Sequence, residues 1–223
     1  MKIFTLNVES NQYPGQLARA LGAKAPQQLH CLGNVDLLQG KTIGFSGARK
    51  ASAKGLDMAE TYGGQFARQG WTVVSGYAEG VDVASHRAAL AAGGSTILVL
   101  PQGLEGFYLR TELRENWDWS RALVVSQFAH EAPFQAFRAI QRNTVIAGLS
   151  QGVLVFEAGA LGGTLNTGLT TLQLKMPLFA PVYDGMPPTA VGHRPLIARG
   201  GRPLATDQGN VACQIKSMTE VMD

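Results

Sequence analysis

The sequence predicts a doubly wound α/β domain, a mostly parallel Rossmann-like sheet with helices on both faces, and three observations carry that prediction. Short apolar runs alternate along the chain with longer segments of helical periodicity. The runs are apolar throughout and do not alternate in polarity, as expected of parallel strands covered on both sides. Glycine-punctuated turns follow several of them, at the sheet edge where this architecture gathers its binding loops.

Taken in order, the first forty residues are less regular, because Tyr13-Pro14-Gly15 and Ala25-Pro26 interrupt any long element. Residues 1–40 therefore read as an extension packed on a core domain of residues 41–223. Thr42 to Gly47 reads as a strand and turn, and Ala53 to Gln69 as a helix with Leu56, Ala59, Phe66 and Ala67 on one stripe. Gly70 stops that helix. The cycle repeats with a strand from Trp71 to Ser75, a helix from Val81 to Ala92 and a strand from Thr96 to Leu100. Further strands are predicted at Ala122 to Ser126, Val153 to Phe156 and Leu178 to Val182. Helices are expected around Leu109 to Ser120, Phe134 to Ala147 and Thr164 to Leu174. Gly185-Met186-Pro187-Pro188 opens a loop, after which Pro195 to Ala205 closes the sheet edge as a short strand or helix.

Composition excludes several classes. With 45% hydrophobic and 16% charged residues in 223, the chain carries enough apolar material for a sizeable core, which argues against disorder. A formal charge of +3 permits a polyanionic partner without requiring one. Cys31 and Cys213 lie far apart and in no Cys/His cluster, so neither a zinc site nor a disulfide framework is expected and the thiols read as reduced. No apolar stretch reaches the ~18 residues of a membrane span, and the start of the chain lacks a signal-peptide pattern, so a cytoplasmic protein is expected.

The richest segment is Ser75-Gly76-Tyr77-Ala78-Glu79-Gly80-Val81-Asp82, where a strand ends in a glycine turn and a helix begins. Glycines let backbone approach a ligand closely, Asp82 is placed to cap the helix, and exposed N–H groups at such a helix start attract phosphate. The turn is neither the Gly-x-Gly-x-x-Gly dinucleotide fingerprint nor a P-loop. The earlier turn Ser46-Gly47-Ala48-Arg49 places an arginine where it could fork onto a phosphate; a solvated loop cation is the equal alternative. Lys50 and Lys54 beside it would add a cationic rim.

His86 lies near Ser75 and Asp82 in sequence, but the nucleophile-elbow pattern Gly-x-Ser-x-Gly is absent. The histidine is expected to hydrogen-bond turn backbone and hold its shape. His30, His130 and His193 have no metal-ligand spacing, and no metal or other cofactor is expected. Arg138 and Arg142 share a helical face, with Asn143 beside the second, and could clamp successive phosphates or simply cover the helix with their stems. A second glycine-rich junction, Glu157 to Thr164 with Gly162 and Gly163, leads to Thr167. Two anion-friendly turns favour an extended phosphorylated ligand. Arg49, Ser75, Gly76, Gly80, Arg142, Gly162, Gly163 and Thr164 are expected to line one continuous pocket.

Together these segments resemble the DNA-processing protein A family, also called Smf. The resemblance rests on Gly44-Phe45-Ser46-Gly47-Ala48-Arg49, on the Ser75 to Asp82 turn with His86, on Arg142-Asn143 followed by Ile146 and Gly148-Leu149-Ser150, and on Gly162-Gly163-Thr164 with Thr167. Tyr13-Pro14 with Leu17 at one end and Arg194-Pro195-Leu196-Ile197 at the other extend it over nearly the whole chain. It implies a homodimeric, non-catalytic protein that binds single-stranded DNA and hands it to the recombinase RecA during natural transformation, with Arg49, Arg142 and Asn143 in the family's basic pocket. The chain departs from the family pattern at Ala139, Ile140 and Thr144, where a phenylalanine, a proline and a further arginine are usual.

A nucleotide-binding sensor or a phosphoribohydrolase-like enzyme is the alternative on the same fold. The hydrolase signature Pro-Gly-Gly-x-Gly-Thr-x-x-Glu is not matched by Leu161-Gly162-Gly163-Thr164-Leu165-Asn166-Thr167.

Overall fold

The computed structural model describes residues 3–205 and 211–222. The chain opens with β1 (Ile3–Asn7), α1 (Gly15–Leu21) and β2 (Gln28–Gly33). Then follow β3 (Thr42–Gly47), α2 (Ala53–Arg68), β4 (Thr72–Ser75), α3 (Val81–Ala91), β5 (Thr96–Val99), the one-turn α4 (Thr111–Arg114) and β6 (Ala122–Ser126). The second half runs through α5 (Ala136–Leu149), β7 (Val153–Phe156), α6 (Gly163–Gln173), β8 (Leu178–Val182), α7 (His193–Ala198), β9 (Arg202–Ala205) and α8 (Val211–Met222).

All nine described strands form one sheet in the order β1-β2-β6-β5-β4-β3-β7-β8-β9. The pairs β1–β2 and β2–β6 are antiparallel and the remainder parallel. From β3 the chain winds one way through β4, β5 and β6, then returns to place β7 on the other side of β3 and winds the opposite way. That reversal puts the crevice of a doubly wound sheet beyond the carboxyl ends of β3 and β7, where Ser46 pairs with Val155 and Gly47 with Phe156.

Helices α2, α3 and α8 cover one face, where Phe45, Tyr62, Phe66, Phe156 and Ile215 are buried together. On the opposite face α1 and α5 pack Leu17, Leu21, Ile146 and Leu149 onto Val74, Ile97 and Val125, while α6 and α7 cover Val153 and Leu178. Phe45 and Phe156, on adjacent central strands, stack with centroids 5.7 Å apart. Aromatic pairs of this kind contribute about 0.5–1.5 kcal/mol beyond their buried area, which helps hold β3 against β7, the two strands that frame the crevice.

Three expectations need correction. The first forty residues are more regular than expected: β1 and β2 extend the sheet, and Pro14, which was expected to interrupt structure, sits immediately before α1, where its fixed φ suits a helix start. The helix expected at Leu109 to Ser120 shrinks to α4, because local turn chemistry wins. Asp118 accepts from the backbone N–H of Ser120 at 2.9 Å and from Arg121 Nε at 3.3 Å, while Trp117 and Trp119 fold against each other with centroids 5.0 Å apart. Helix α5 runs through Gly148 to Leu149, since Gly148 is the place where the side chain of Leu17 on α1 meets the helix and a β-carbon would not fit. Among the described residues no helix is long and apolar enough to cross a membrane, and both cysteines are free thiols.

Candidate functional site

A cavity of about 530 Å³ occupies the crevice. The turn after β3 supplies Ser46, Gly47 and Arg49, α3 supplies Asp82, α5 supplies Arg142 and Asn143, and the start of α6 supplies Gly163 and Thr164. Phe134 and Ile140 complete one wall and are about half exposed.

Arg142 is almost completely buried, and its Nη1 lies 3.8 Å from Asp82 Oδ2. The carboxylate also accepts from the backbone N–H of Ala78 at 3.3 Å. Burial pushes the Asp82 carboxyl above the usual range, opposed by Arg142, the Ala78 N–H and Ser75. Burial also lowers the Arg142 pKa, with Asp82 opposing and Arg49 adding to the shift. A guanidinium still keeps its proton at neutral pH. Arg142 Nε is buried without a hydrogen-bond partner among the described residues, so the protein satisfies the arginine only in part.

The guanidinium packs over Gly76, where a β-carbon would overlap it. Beneath, His86 is fully buried and bridges Gly76 O and Thr96 Oγ1, each at 2.6 Å. A carbonyl can only accept, so Nε2 carries a proton toward Gly76 O, and Thr96 Oγ1, beside Nδ1, itself donates to Val73 O at 3.0 Å. Burial pushes the imidazole pKa down to about 4, so the ring is neutral in the fold. As expected from its position, His86 fixes the Gly76 turn.

The α6 side is built from small residues. Gly162, at φ 111°, is the residue before the helix and adopts a backbone conformation that disfavours side chains. Asn143 Nδ2 donates to Gly163 O at 3.1 Å, and Thr167 Oγ1 donates to the same carbonyl at 2.9 Å. Ser46 Oγ lies 3.2 Å from Thr167 Oγ1 and ties this corner to β3. The first-turn N–H groups of α6 have no partner within the helix and carry its positive dipole end, so the corner favours an anion.

The predicted residues thus separate into two sets. Ser46, Gly47, Arg49, Asp82, Arg142, Asn143, Gly163 and Thr164 meet at the cavity. Ser75 and Thr167 are fully buried behind it, with Ser75 Oγ donating to Phe45 O at 2.7 Å. Gly80, at φ 79°, lies against the carbonyls of Ala48 and Arg49 and lets α3 begin there. Gly162 and Gly76 likewise shape the backbone and do not line the cavity. Asp82 is the second residue of α3 and not its cap, a place taken by Gly80, because its carboxylate is engaged with Arg142. Arg138 does not clamp beside Arg142: its Nη1 donates to Pro133 O at 2.6 Å, and the side chain lies over Phe128 and Phe137. Lys50 is exposed outside the cavity lining, and Lys54 turns to Asp184 O at 3.2 Å.

Sequence reasoning missed an adjoining cavity of about 260 Å³ that shares Arg49, Ala78, Phe134 and Arg142. Tyr77, Phe107 and Tyr108 line it, with Arg110 5.2 Å from the centroid of Tyr77. The turn after β5, Pro101-Gln102-Gly103, was the available signal, since Pro101 and Gln102 form part of its wall.

Glu157, at the second glycine junction, faces away from the crevice chemistry. It adopts φ 49° and accepts from Ser52 N at 2.8 Å, Ser52 Oγ at 2.5 Å and the Tyr183 hydroxyl. Burial and the contact with Glu157 push the Tyr183 phenol up to about 12. Ser52 caps α2 by accepting from Gly55 N at 3.1 Å, so Glu157 pins the start of α2 to the end of β7.

Residues 4–218 match the family described as DNA recombination-mediator protein A. The chain belongs to this family. It is 31% identical over 204 residues to the DNA processing protein DprA of Bacillus subtilis, covering 91% of this chain and 68% of that protein. The corresponding Streptococcus pneumoniae protein is 31% identical over 215 residues, and its crystal structure superposes with a TM-score of 0.82 over 95% of this chain and 74% of that one. A Helicobacter pylori member, whose structure concerns a single-stranded DNA binding mode, superposes with a TM-score of 0.79 at 21% identity, covering 97% of each chain. The family shares the α/β fold seen here, including its mostly parallel sheet.

Proposed function

We propose that the cavity seats the phosphate backbone of single-stranded DNA, and that the protein acts in DNA processing during uptake and recombination. The observation that carries this reading is the convergence of an exposed arginine, Arg49, a buried one, Arg142, and the N-terminus of α6 on one open cavity. Asp82 offsets one of the two positive charges, so a phosphate placed between them meets a net cationic site. The adjoining aromatic cavity suits a base of the same strand, since stacking on Tyr and Phe tolerates any sequence. The DNA-processing family to which the chain belongs, and the DNA-binding Helicobacter member of the same fold, support the reading.

Assembly as a homodimer, delivery of the strand to RecA and action in the cytoplasm belong to the same proposal and rest on the family resemblance. So does the absence of catalysis, with a geometric argument beside it. The buried His86 is held by Gly76 O and Thr96, and Glu157 by Ser52 and Tyr183, so neither contacts the cavity as a free base.

The test is binding of fluorescent single-stranded DNA, duplex DNA and mononucleotides over a salt series. Sequence-tolerant binding of the single strand that weakens with salt is expected. Preference for a mononucleotide, or salt-independent binding, would favour the nucleotide-sensor alternative.

A further inference from the structure

A groove of about 900 Å³ with a mixed polar and apolar lining lies on the other flank of α5, between that helix and the N-terminal β1–β2 segment. Four glutamines, Gln27, Gln28, Gln127 and Gln141, line it together with Glu9, Lys24, Phe128 and Thr144, and Gln28 Nε2 donates to Asn7 Oδ1 at 3.0 Å. A carboxamide offers a donor and an acceptor side by side, the complement of a nucleobase edge. Phe128 adds a ring for stacking, with the Arg138 guanidinium 5.4 Å from its centroid. Groove volume is in the range of small-ligand sites, about 300–1,000 Å³.

The groove and the anion cavity share one helix. Ala136, Ala139, Ile140 and Asn143, at three- and four-residue spacing, face the anion cavity, whereas Gln141 and Thr144 face the groove. At about 100° per residue these faces are roughly a third of a turn apart, and the ridge between them runs from Ile140, at the edge of the cavity face, to Phe137, on the groove side one turn before Gln141. Both are large apolar side chains left 55% and 50% exposed. A strand leaving the anion cavity over that ridge would cross two apolar side chains and arrive among the glutamines.

We propose that the carboxamide-lined groove is a second base-binding site for the same DNA strand, reached across Phe137 and Ile140. The inference rests on the anion cavity being the strand's phosphate seat. It predicts that the footprint on DNA extends past the cavity and that the extra length is read by Gln127 and Gln141.

The experiment compares strands of about 3 and about 12 nucleotides bound to the parent chain, to Arg49→Ala and to the double variant Gln127→Ala/Gln141→Ala. Gln141 is exposed and Gln127 half-buried, so the double variant keeps the core intact. Its affinity for the longer strand should fall about three- to tenfold, as for lost hydrogen bonds, with the short strand unaffected. Unchanged affinity for the longer strand, or equal losses on both lengths, overturns the second site. The Arg49→Ala protein reports separately on the first: if it binds the short strand as the parent does, the phosphate seat itself is wrong, whatever the glutamines do.

Discussion

The guanidinium of Arg142 lies against the α-carbon of Gly76, in the space a methyl group would need. The glycine is thus required for close approach of a buried cation. Gly76→Ala is expected to displace Arg142 and lower affinity for single-stranded DNA as much as Arg142→Ala does. Overpacking of this kind costs typically about 1–3 kcal/mol of stability. Titration of labelled DNA together with urea unfolding checks both, and an alanine variant with parental affinity would refute the coupling.

Asp82 is the buried counter-charge to that arginine. Asp82→Ala leaves Arg142 buried and unpaired, a change that costs about 3–5 kcal/mol in comparable buried pairs. Chemical denaturation of the variant should show the loss, and adding Arg142→Met should recover part of it, because the second change removes the stranded charge.

Arg49 is exposed and lines both cavities, so its contribution to binding should be electrostatic. Log affinity for a single strand falls with log salt by about 0.7 per phosphate neutralised. Arg49→Ala should flatten the slope by about that amount and weaken binding similarly for all sequences. Fluorescence anisotropy at several salt concentrations measures it; an unchanged slope would remove Arg49 from the phosphate seat.

His86 titrates near 4 in the fold against an ordinary 6.5. Between these values the unfolded chain binds the proton and the folded chain does not, so stability rises with pH across that window. The contribution, about 3 kcal/mol, is fully present above about pH 6.5 and lost as the pH falls through about 4. Unfolding free energies from pH 4 to 7 should show a steeper rise for the parent than for His86→Gln. Equal slopes would mean that the histidine is accessible to protons in the native state.

Glu157→Ala removes the acceptor for Ser52 N, Ser52 Oγ and Tyr183. Stranding buried donors costs about 1–3 kcal/mol each, so the midpoint of thermal unfolding should drop clearly. Binding measured well below that midpoint should be retained, and no mononucleotide turnover should be seen in either protein. Turnover that disappears in Glu157→Gln while binding persists would replace the DNA-binding reading with an enzymatic one.

What the sequence alone determined is the central sheet and its loops. The strands from β3 to β8 were legible because parallel strands buried on both faces must be apolar throughout, and Ser46-Gly47-Ala48-Arg49, Ser75 to Gly80 and Gly162-Gly163 follow from the need for close backbone approach at strand ends. Pattern did not reveal β1 and β2, short elements separated by prolines, since strands that are only partly buried carry a weaker signal than the fully covered central ones. Nor did it reveal the early end of α4, which Asp118 and the two tryptophans decided through contacts that periodicity does not encode. Only the tertiary structure separated residues at the surface of the site from those behind it. Arg138 and Arg142 are one helical turn apart and chemically alike, yet one is turned to Pro133 and the other buried against Asp82, because α3 brings its carboxylate beneath only the second. Partner choice for a charged side chain depends on what a distant element presents to it, and that is set by packing across the sheet rather than by neighbours in the chain.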